Sequence, residues 1–217
     1  MNTSVNSNSG PLEHDEVSVV DRMLSVTESS KSKAQVVEFN IERKQIKQQI
    51  VFESIDLSNK DLNGVDLQSL VMLHSNLSNT NLENSSLTDV HISGDLSSIN
   101  LRNAILFNVD LSDSNLTNAN LKNTDLTNAN LTDASLDNAA LTDAYISNPN
   151  LTNADLLDAD LTDADLFIAD LTNASHAYAD LTSASLLYAD LIKYGAIRCR
   201  SNKCPPSRCR SNKCRSY

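Results

Sequence analysis

The sequence predicts an elongated repeat solenoid, and three observations favour that fold. A large aliphatic residue returns at nearly every fifth position from Leu57 to Leu191. The residue two positions before it is usually Ala, and the positions between are mostly Asn, Asp, Ser and Thr. A period of five matches neither the 3.6 of an α-helix nor the 2 of a flat strand, so the chain must turn once in every repeat.

The repeats fall into two registers. Eight central residues run in steps of five from Leu57 to Ile92, and then the phase slips by one residue. A second series of 20 begins at Leu96 and ends at Leu191, which makes 28 units in all. Within this series His176 is the one central residue that is not a large aliphatic. Because a five-residue unit cannot bury its apolar residues alone, the fold must be stabilised by stacking of neighbouring units.

The motif Ala-(Asp/Asn)-Leu-x-x, as in the five residues from Ala119 to Asn123 and the five from Ala154 to Asp158, resembles the pentapeptide repeat family. The resemblance covers roughly residues 50 to 192. It implies an all-β fold, a right-handed quadrilateral β-helix in which four five-residue sides make one coil and the central Leu points inward. At the usual spacing of about 4.8 Å between paired backbones, about seven coils would form a rod about 34 Å long.

Composition divides the chain into four segments. Residues 1–35 are rich in Ser, Asn and Glu, which predicts a disordered or weakly helical segment. Residues 36–52 carry eight apolar side chains and are predicted to cap the open end of the β-helix. Residues 53–192 form the predicted β-helix, and residues 193–217 are a basic tail. No secretory signal and no run of 18 apolar residues is visible, so a cytoplasmic protein is expected.

Charge is distributed unevenly between the predicted rod and the tail. Residues 53–192 contain 21 acidic side chains against Lys60, Arg102 and Lys122, whereas residues 193–217 contain eight bases and no acid. The net charge of −18 on the rod is about one charge per 1.9 Å, close to the roughly 1.7 Å of duplex DNA. The predicted acidic surface near the C-terminal coils comprises Asp155, Asp158, Asp160, Asp163, Asp165, Asp170, Asp180 and Asp190.

The resemblance gives this acidity one functional interpretation. Some pentapeptide repeat proteins are understood to imitate DNA and to protect type II topoisomerases from inhibitors, which implies a possible topoisomerase partner. The alternative is that outward Asp keeps a long rod soluble. The central positions of this chain are Leu, whereas the topoisomerase-protecting members are rich in Phe there, and this difference favours the alternative.

Apolar side chains replace the usual polar ones at outward positions near the end of the repeats. The predicted interface residues are Leu157, Phe167, Ile168, Tyr178, Leu187, Tyr188 and Ile192. Their spacing places Leu157 and Tyr178 on one face of a square rod. The opposite face carries Phe167, Ile168, Leu187 and Tyr188. Family members often dimerise through their C-terminal coils, so the resemblance implies a homodimer here. The alternative is that the basic tail folds back and covers these residues.

Candidate catalytic and metal-ligating residues are few. The sequence has no nucleophile and base pair, no phosphate-binding loop and no nucleotide fingerprint, so no cofactor is expected. His14, His74 and His91 lack ligand-like neighbours, and an inward His176 is interpreted as hydrogen-bonded filler. The dense aspartates from Asp155 to Asp165 follow from the repeat itself and lack a calcium loop.

The tail contains every cysteine of the chain. The seven residues from Arg198 to Cys204 recur unchanged from Arg208 to Cys214. The weak metal candidates are Cys199, Cys204, Cys209 and Cys214. Three interpretations stay open: a Cys₄ zinc site, two disulfides, or a flexible basic extension.

Together these features predict a non-enzymatic protein that binds other proteins, or acts as a scaffold, by presenting an acidic β-helical rod. The alternative is a DNA-mimicking regulator that binds DNA gyrase and protects it from quinolone-like inhibitors. Neither hypothesis involves a membrane or direct binding of nucleic acid by the acidic rod.

Overall fold

The computed structural model describes residues 50–190, which form a right-handed β-helix. Three short strands are paired in parallel in one sheet: β1 (Val51–Glu53), β2 (Val71–Asn76) and β3 (His91–Asp95). Beyond them, single parallel bridges join residues one coil apart, such as Asp155 and Ser175. No helix occurs among the described residues. The predicted all-β solenoid is therefore confirmed.

Some predicted segments lie outside the described residues. These are residues 1–35, most of the predicted cap at 36–52, and the basic tail with its four cysteines. Of the predicted cap, Ile50 and Phe52 are buried, and Phe52 pairs with Met72 in the next coil. The stack of coils therefore includes Phe52, the last residue of the predicted cap.

Each coil has four faces, which we number by their central residues. The first face passes through Leu57, the second through Leu62, the third through Leu67 and the fourth through Phe52 and Met72. Bridges in steps of 20 residues, or 19 across one shortened coil, hold equivalent positions above one another on every face. On the fourth face they run from Val51 through seven coils to Asp190.

The core consists of four columns of central residues with small residues packed between them. The central Leu side chains are buried throughout, and each is worth roughly 1.5–3 kcal/mol when removed from water. Where the small inward position is polar, its hydroxyl bonds to the backbone: Thr80 donates to the Leu57 carbonyl at 2.8 Å and Ser85 to that of Leu62 at 3.0 Å. Buried hydroxyls therefore remain hydrogen-bonded.

The turns explain why Asn and Asp dominate the outward positions. The second residue after each central residue lies in the left-handed region, with φ between 51° and 63° at 26 non-glycine positions. Eighteen of these are Asn or Asp, the non-glycine residues that best tolerate this conformation. The residue before the central one commonly caps the same turn, as when the Asp155 Oδ1 accepts the Leu157 N–H at 3.1 Å. The repeat therefore makes its corners with hardly any glycine.

The slip in the sequence register corresponds to one coil that is a residue shorter. Asn76 pairs with Asp95 across 19 residues, whereas the neighbouring coils are joined across 20. Two residues separate Met72 from Ser75, but one separates Ile92 from Gly94 on the paired strand. Gly94 adopts a φ of 125°, and a Cβ atom there would lie 2.2 Å from the Ser75 carbonyl oxygen. The shortened corner therefore requires glycine.

Candidate functional site

The outward apolar side chains concentrate on one face of the rod. In the part of the chain that the structure describes, the large hydrophobic residues with the most exposure are Ile105, Phe107, Tyr145, Ile168, Tyr178 and Tyr188. All except Tyr178 lie on the third face. With the half-buried Phe167 and Leu187 they form what we call the apolar stripe, which consists of Ile105, Phe107, Tyr145, Phe167, Ile168, Leu187 and Tyr188.

The C-terminal end of the stripe is a packed cluster. The Phe167 and Tyr188 rings meet edge to face, with centroids 5.8 Å apart and planes at 79°. The Ile168 N–H donates to the Leu187 carbonyl at 3.0 Å, so these two coils are also joined through the backbone. Such aromatic pairs are worth about 0.5–1.5 kcal/mol beyond the area they bury. This geometry gives the end of the stripe a defined shape.

Three of the exposed apolar residues occupy strained turn positions. Ile168, Tyr178 and Tyr188 have φ values of 58°, 61° and 63°, at the corner where most coils place Asn or Asp. A β-branched or bulky side chain in the left-handed region is unfavourable, at a cost of order 1–3 kcal/mol. Strain of this kind concentrates at functional sites. These residues are therefore candidates for contact with a partner.

The predicted interface residues lie on two opposite faces, as their spacing indicated. Leu157 is half-buried and Tyr178 is 84% exposed on the first face, while Phe167, Ile168, Leu187 and Tyr188 are on the third. Ile192 lies outside the described residues. Sequence reasoning missed Ile105, Phe107 and Tyr145, which are separated from the others by multiples of about 20. Alignment in steps of one coil, which is 20 residues throughout this part of the chain, is the signal that finds them.

The predicted acidic residues surround the rod instead of forming one surface. Asp155 and Asp158 are on the first face, and Asp165 is on the third. The remainder divide between the second face (Asp160, Asp163 and Asp180) and the fourth (Asp170 and Asp190). Of the 21 acidic residues from 50 to 190, 18 occupy the two turn positions that favour Asp or Asn. Turn geometry thus accounts for much of the acidity.

Among the described residues, Lys and Arg are confined to one part of one face. Lys60, Arg102 and Lys122 all belong to the second face, and residues 123–190 contain 12 acids and no Lys or Arg. Arg102 pairs with Glu83 at 3.5 Å. Burial alone would raise the pKa of Asp160, but hydrogen bonds from Thr162 and Thr142 outweigh it and hold that pKa below its ordinary value. The C-terminal half of the described rod is therefore uniformly negative.

The three histidines between residues 50 and 190 lie in separate environments. No three His, Cys, Asp or Glu side chains converge in a way that would hold a metal ion between residues 50 and 190. His74 is exposed, and His91 lies 3.7 Å from Asp110. His176 is half-buried in the first-face column, with its Nδ1 atom 3.5 Å from the Ala174 carbonyl oxygen. The four cysteines proposed as metal candidates lie outside the described residues.

The burial of His176 predicts that the stability of the last described coil depends on pH. Burial lowers the pKa of His176 below its ordinary value, so the unfolded chain binds this proton more readily than the folded one. Its contribution to stability is therefore present above an unfolded pKa of about 6.5 and is lost as pH falls below it. We expect His176→Leu to raise the thermal midpoint and to flatten its dependence on pH between about 7.5 and 5, measured by far-UV circular dichroism.

The control for this prediction is His74→Asn, an exposed turn position where Asn is the usual residue in other coils. This change should leave the pH dependence as it is. If His176→Leu and the wild type lose stability equally on acidification, His176 is not the responsible group.

The described residues contain no apolar helix of the length needed to cross a bilayer.

The repeats of this chain match a known family pattern. The family model for pentapeptide repeats matches eight copies, at residues 49–84, 95–133 and 139–166. The first gap contains Gly94 and the shortened corner, and the last match ends directly before Phe167. The family pattern therefore stops where the densest part of the apolar stripe begins. No curated protein sequence matches significantly.

The solved structures that are similar to this chain include those of QnrB1 and HetL. One is trypsin-treated QnrB1, a plasmid-mediated fluoroquinolone resistance protein, at 16% identity over 68% of this chain and 77% of QnrB1, with a TM-score of 0.50. The other is HetL, a pentapeptide repeat protein involved in heterocyst differentiation regulation from Nostoc sp. strain PCC 7120. HetL is 25% identical over 75% of this chain and 87% of HetL, with a TM-score of 0.29. The likeness to QnrB1 is one of fold.

Proposed function

Because its repeats make this chain a member of the pentapeptide repeat family, we propose that it is a non-enzymatic protein-binding scaffold that engages a protein partner through the apolar stripe. The observation that carries the proposal is the concentration of exposed, strained apolar side chains on the third face. An exposed apolar side chain costs solubility, and a bulky one at a left-handed corner also costs stability. Contact with a partner explains why Ile168 and Tyr188 occupy corners that Asn would fill at lower cost.

A second copy of the chain is the first partner to test. We expect the wild type to form dimers, and Phe167→Asp or Tyr188→Asp to yield monomers in multi-angle light scattering. Both changes suit the fold, since Asp137 and Asp158 occupy the equivalent positions on the first face. Burying two carboxylates in an apolar contact is strongly unfavourable.

The matched control is Thr152→Asp, which adds the same charge at the equivalent position of the fourth face. It should leave the dimer intact. An unchanged mass for Phe167→Asp and Tyr188→Asp would contradict a homodimer through the stripe. Loss of the dimer in Thr152→Asp would show that added charge alone is responsible.

A DNA-mimicking regulator of DNA gyrase is the second candidate function. The 12 acids without a base from residue 123 to 190 favour it, because DNA-binding surfaces recognise dense negative charge. The expected result is that the protein preserves gyrase supercoiling in the presence of a quinolone. A variant with Asp133, Asp143, Asp158 and Asp163 changed to Asn should lose this protection and still fold, since Asn occupies many equivalent corners. No effect of micromolar wild-type protein would eliminate this function.

A further inference from the structure

The third face contains a column in which apolar and acidic side chains alternate. Parallel bridges align Ile105, Asp125, Tyr145 and Asp165, one residue from each successive coil. Tyr145 is 64% exposed, and a carboxylate lies one coil, about 4.8 Å, to either side of it. We call these four residues the alternating column.

The fold keeps both carboxylates of the column in place. The Asp125 Oδ1 accepts the Thr127 N–H at 3.0 Å, and the Asp165 Oδ1 accepts the Phe167 N–H at 3.2 Å. Each bond closes the turn of its own coil, so the carboxylate belongs to the rigid scaffold. The second bond also ties Asp165 to the residue that forms the edge-to-face pair with Tyr188. The column and the packed end of the stripe are therefore one continuous surface.

This arrangement suits an arginine side chain. A guanidinium group stacks on an aromatic ring and pairs with carboxylates at the same time, because it is planar, weakly hydrated and always charged. No Lys or Arg of residues 123–190 competes for the two carboxylates. A face-to-face contact between two bare stripes would instead bring the carboxylates of both copies together, which is repulsive. The surface thus favours a cationic partner with apolar residues.

We propose that the basic segment of this chain, residues 193–217, is the ligand of the alternating column. This segment contains five Arg, three Lys and no acid. The described rod ends at Asp190, two residues after Tyr188 of the stripe. Twenty-five extended residues reach about 80 Å, whereas the four coils from Leu187 back to Ile105 span about 19 Å. The segment is therefore long enough to cover the whole column from where it begins.

Binding of this segment would also regulate the stripe. This inference rests on the proposed function, in which the stripe is the binding surface. Arginines paired with Asp125 and Asp165 neutralise the negative charge that would make two stripes repel each other. The segment therefore lies at the interface between two copies, whether it belongs to the same copy as the stripe or to the other copy. The protein-binding surface then becomes sensitive to ionic strength.

Carbodiimide cross-linking of the full-length protein tests the proposal, because it joins a lysine to a carboxylate only where the two are in contact. We expect Lys193, Lys203 and Lys213 to be joined mainly to Asp125 and Asp165 when the peptides are identified by mass spectrometry. In an Asp125→Asn, Asp165→Asn double variant, the total yield of cross-links to the rod should fall about fivefold. Asparagine keeps the Oδ1 atom that accepts each turn hydrogen bond, so the coils are preserved.

The matched control is Asp113→Asn, Asp133→Asn, which removes two carboxylates from adjacent coils of the fourth face. It should leave the yield within about twofold of the wild type. Cross-links distributed evenly over the four faces, or an equal loss in both double variants, would overturn the proposal. Light scattering of the same samples separates the two hypotheses. A dimer that Phe167→Asp disrupts, without tail cross-links to the column, keeps the proposed function and rejects the segment as its ligand.

Discussion

Replacing Leu126 with Ala is expected to lower the free energy of unfolding by about 2–5 kcal/mol. Leu126 is fully buried in the third-face column between Leu106 and Ile146. Its coil is fixed on both sides, since the Leu106 N–H donates to the Asp125 carbonyl at 2.8 Å and the Leu126 N–H to the Tyr145 carbonyl at 2.7 Å. Because this ladder sets the distance between coils, the neighbours cannot collapse into the cavity. The cost should therefore lie toward the upper end of the range.

The neighbouring Thr127→Ala is the control, since it shortens an outward side chain of the same coil and keeps the backbone ladder. Its effect should remain within about 0.5 kcal/mol. Urea denaturation followed by far-UV circular dichroism measures both. Equal losses for the two variants would mean that the stacked leucines are not the main source of stability.

The fold could be predicted from the sequence because the residues that repeat with a period of five are also the residues of the core. The resemblance to pentapeptide repeats implies that the central residue of each repeat faces inward, so the central residues from Leu57 to Leu186 could be assigned to columns from the sequence. The slip between Ile92 and Leu96 was visible in the same way. The cause of the slip was not visible in the sequence, because glycine is needed at position 94 on account of its contact with Ser75, 19 residues earlier. Contacts between coils appear only when the coils are aligned.

The candidate site was predicted in part for a related reason. Phe167, Ile168, Leu187 and Tyr188 stand out locally because they interrupt the polar pattern of adjacent repeats. Tyr145 interrupts it alone, and its importance depends on Asp125 and Asp165 one coil away. Backbone strain at Ile168 and Tyr188 was also hidden, since the left-handed corner is a property of the turn and not of the period. The acidic residues are distributed over all four faces, because 18 of the 21 acids from 50 to 190 occupy the two turn positions that favour Asp or Asn.

Gly94→Ala is expected to produce the second large loss of stability. An added Cβ would lie 2.2 Å from the Ser75 carbonyl oxygen and 2.7 Å from its backbone nitrogen, and neither atom belongs to a side chain that can rotate away. The φ of 125° adds strain for any residue with a Cβ, of order 1–3 kcal/mol. The Ser75 and Gly94 pairing must therefore open, which disrupts β2 and β3 where the two registers meet. We expect a lower thermal midpoint and a lower midpoint in urea.

Gly64→Asn distinguishes this close contact from a general effect of losing glycine. Gly64 has a φ of 74° at an ordinary corner of the second face, where Asn84 follows in the next coil. Asparagine tolerates that conformation and restricts the unfolded chain, so stability should stay the same or rise by about 0.4–1 kcal/mol. If Gly94→Ala unfolds at the wild-type midpoint, the shortened coil accommodates a side chain and the contact with Ser75 is not what fixes the register. Equal destabilisation of both variants would mean that ordinary corners also require glycine. That outcome would disagree with the Asn residues that occupy equivalent left-handed positions in the other coils.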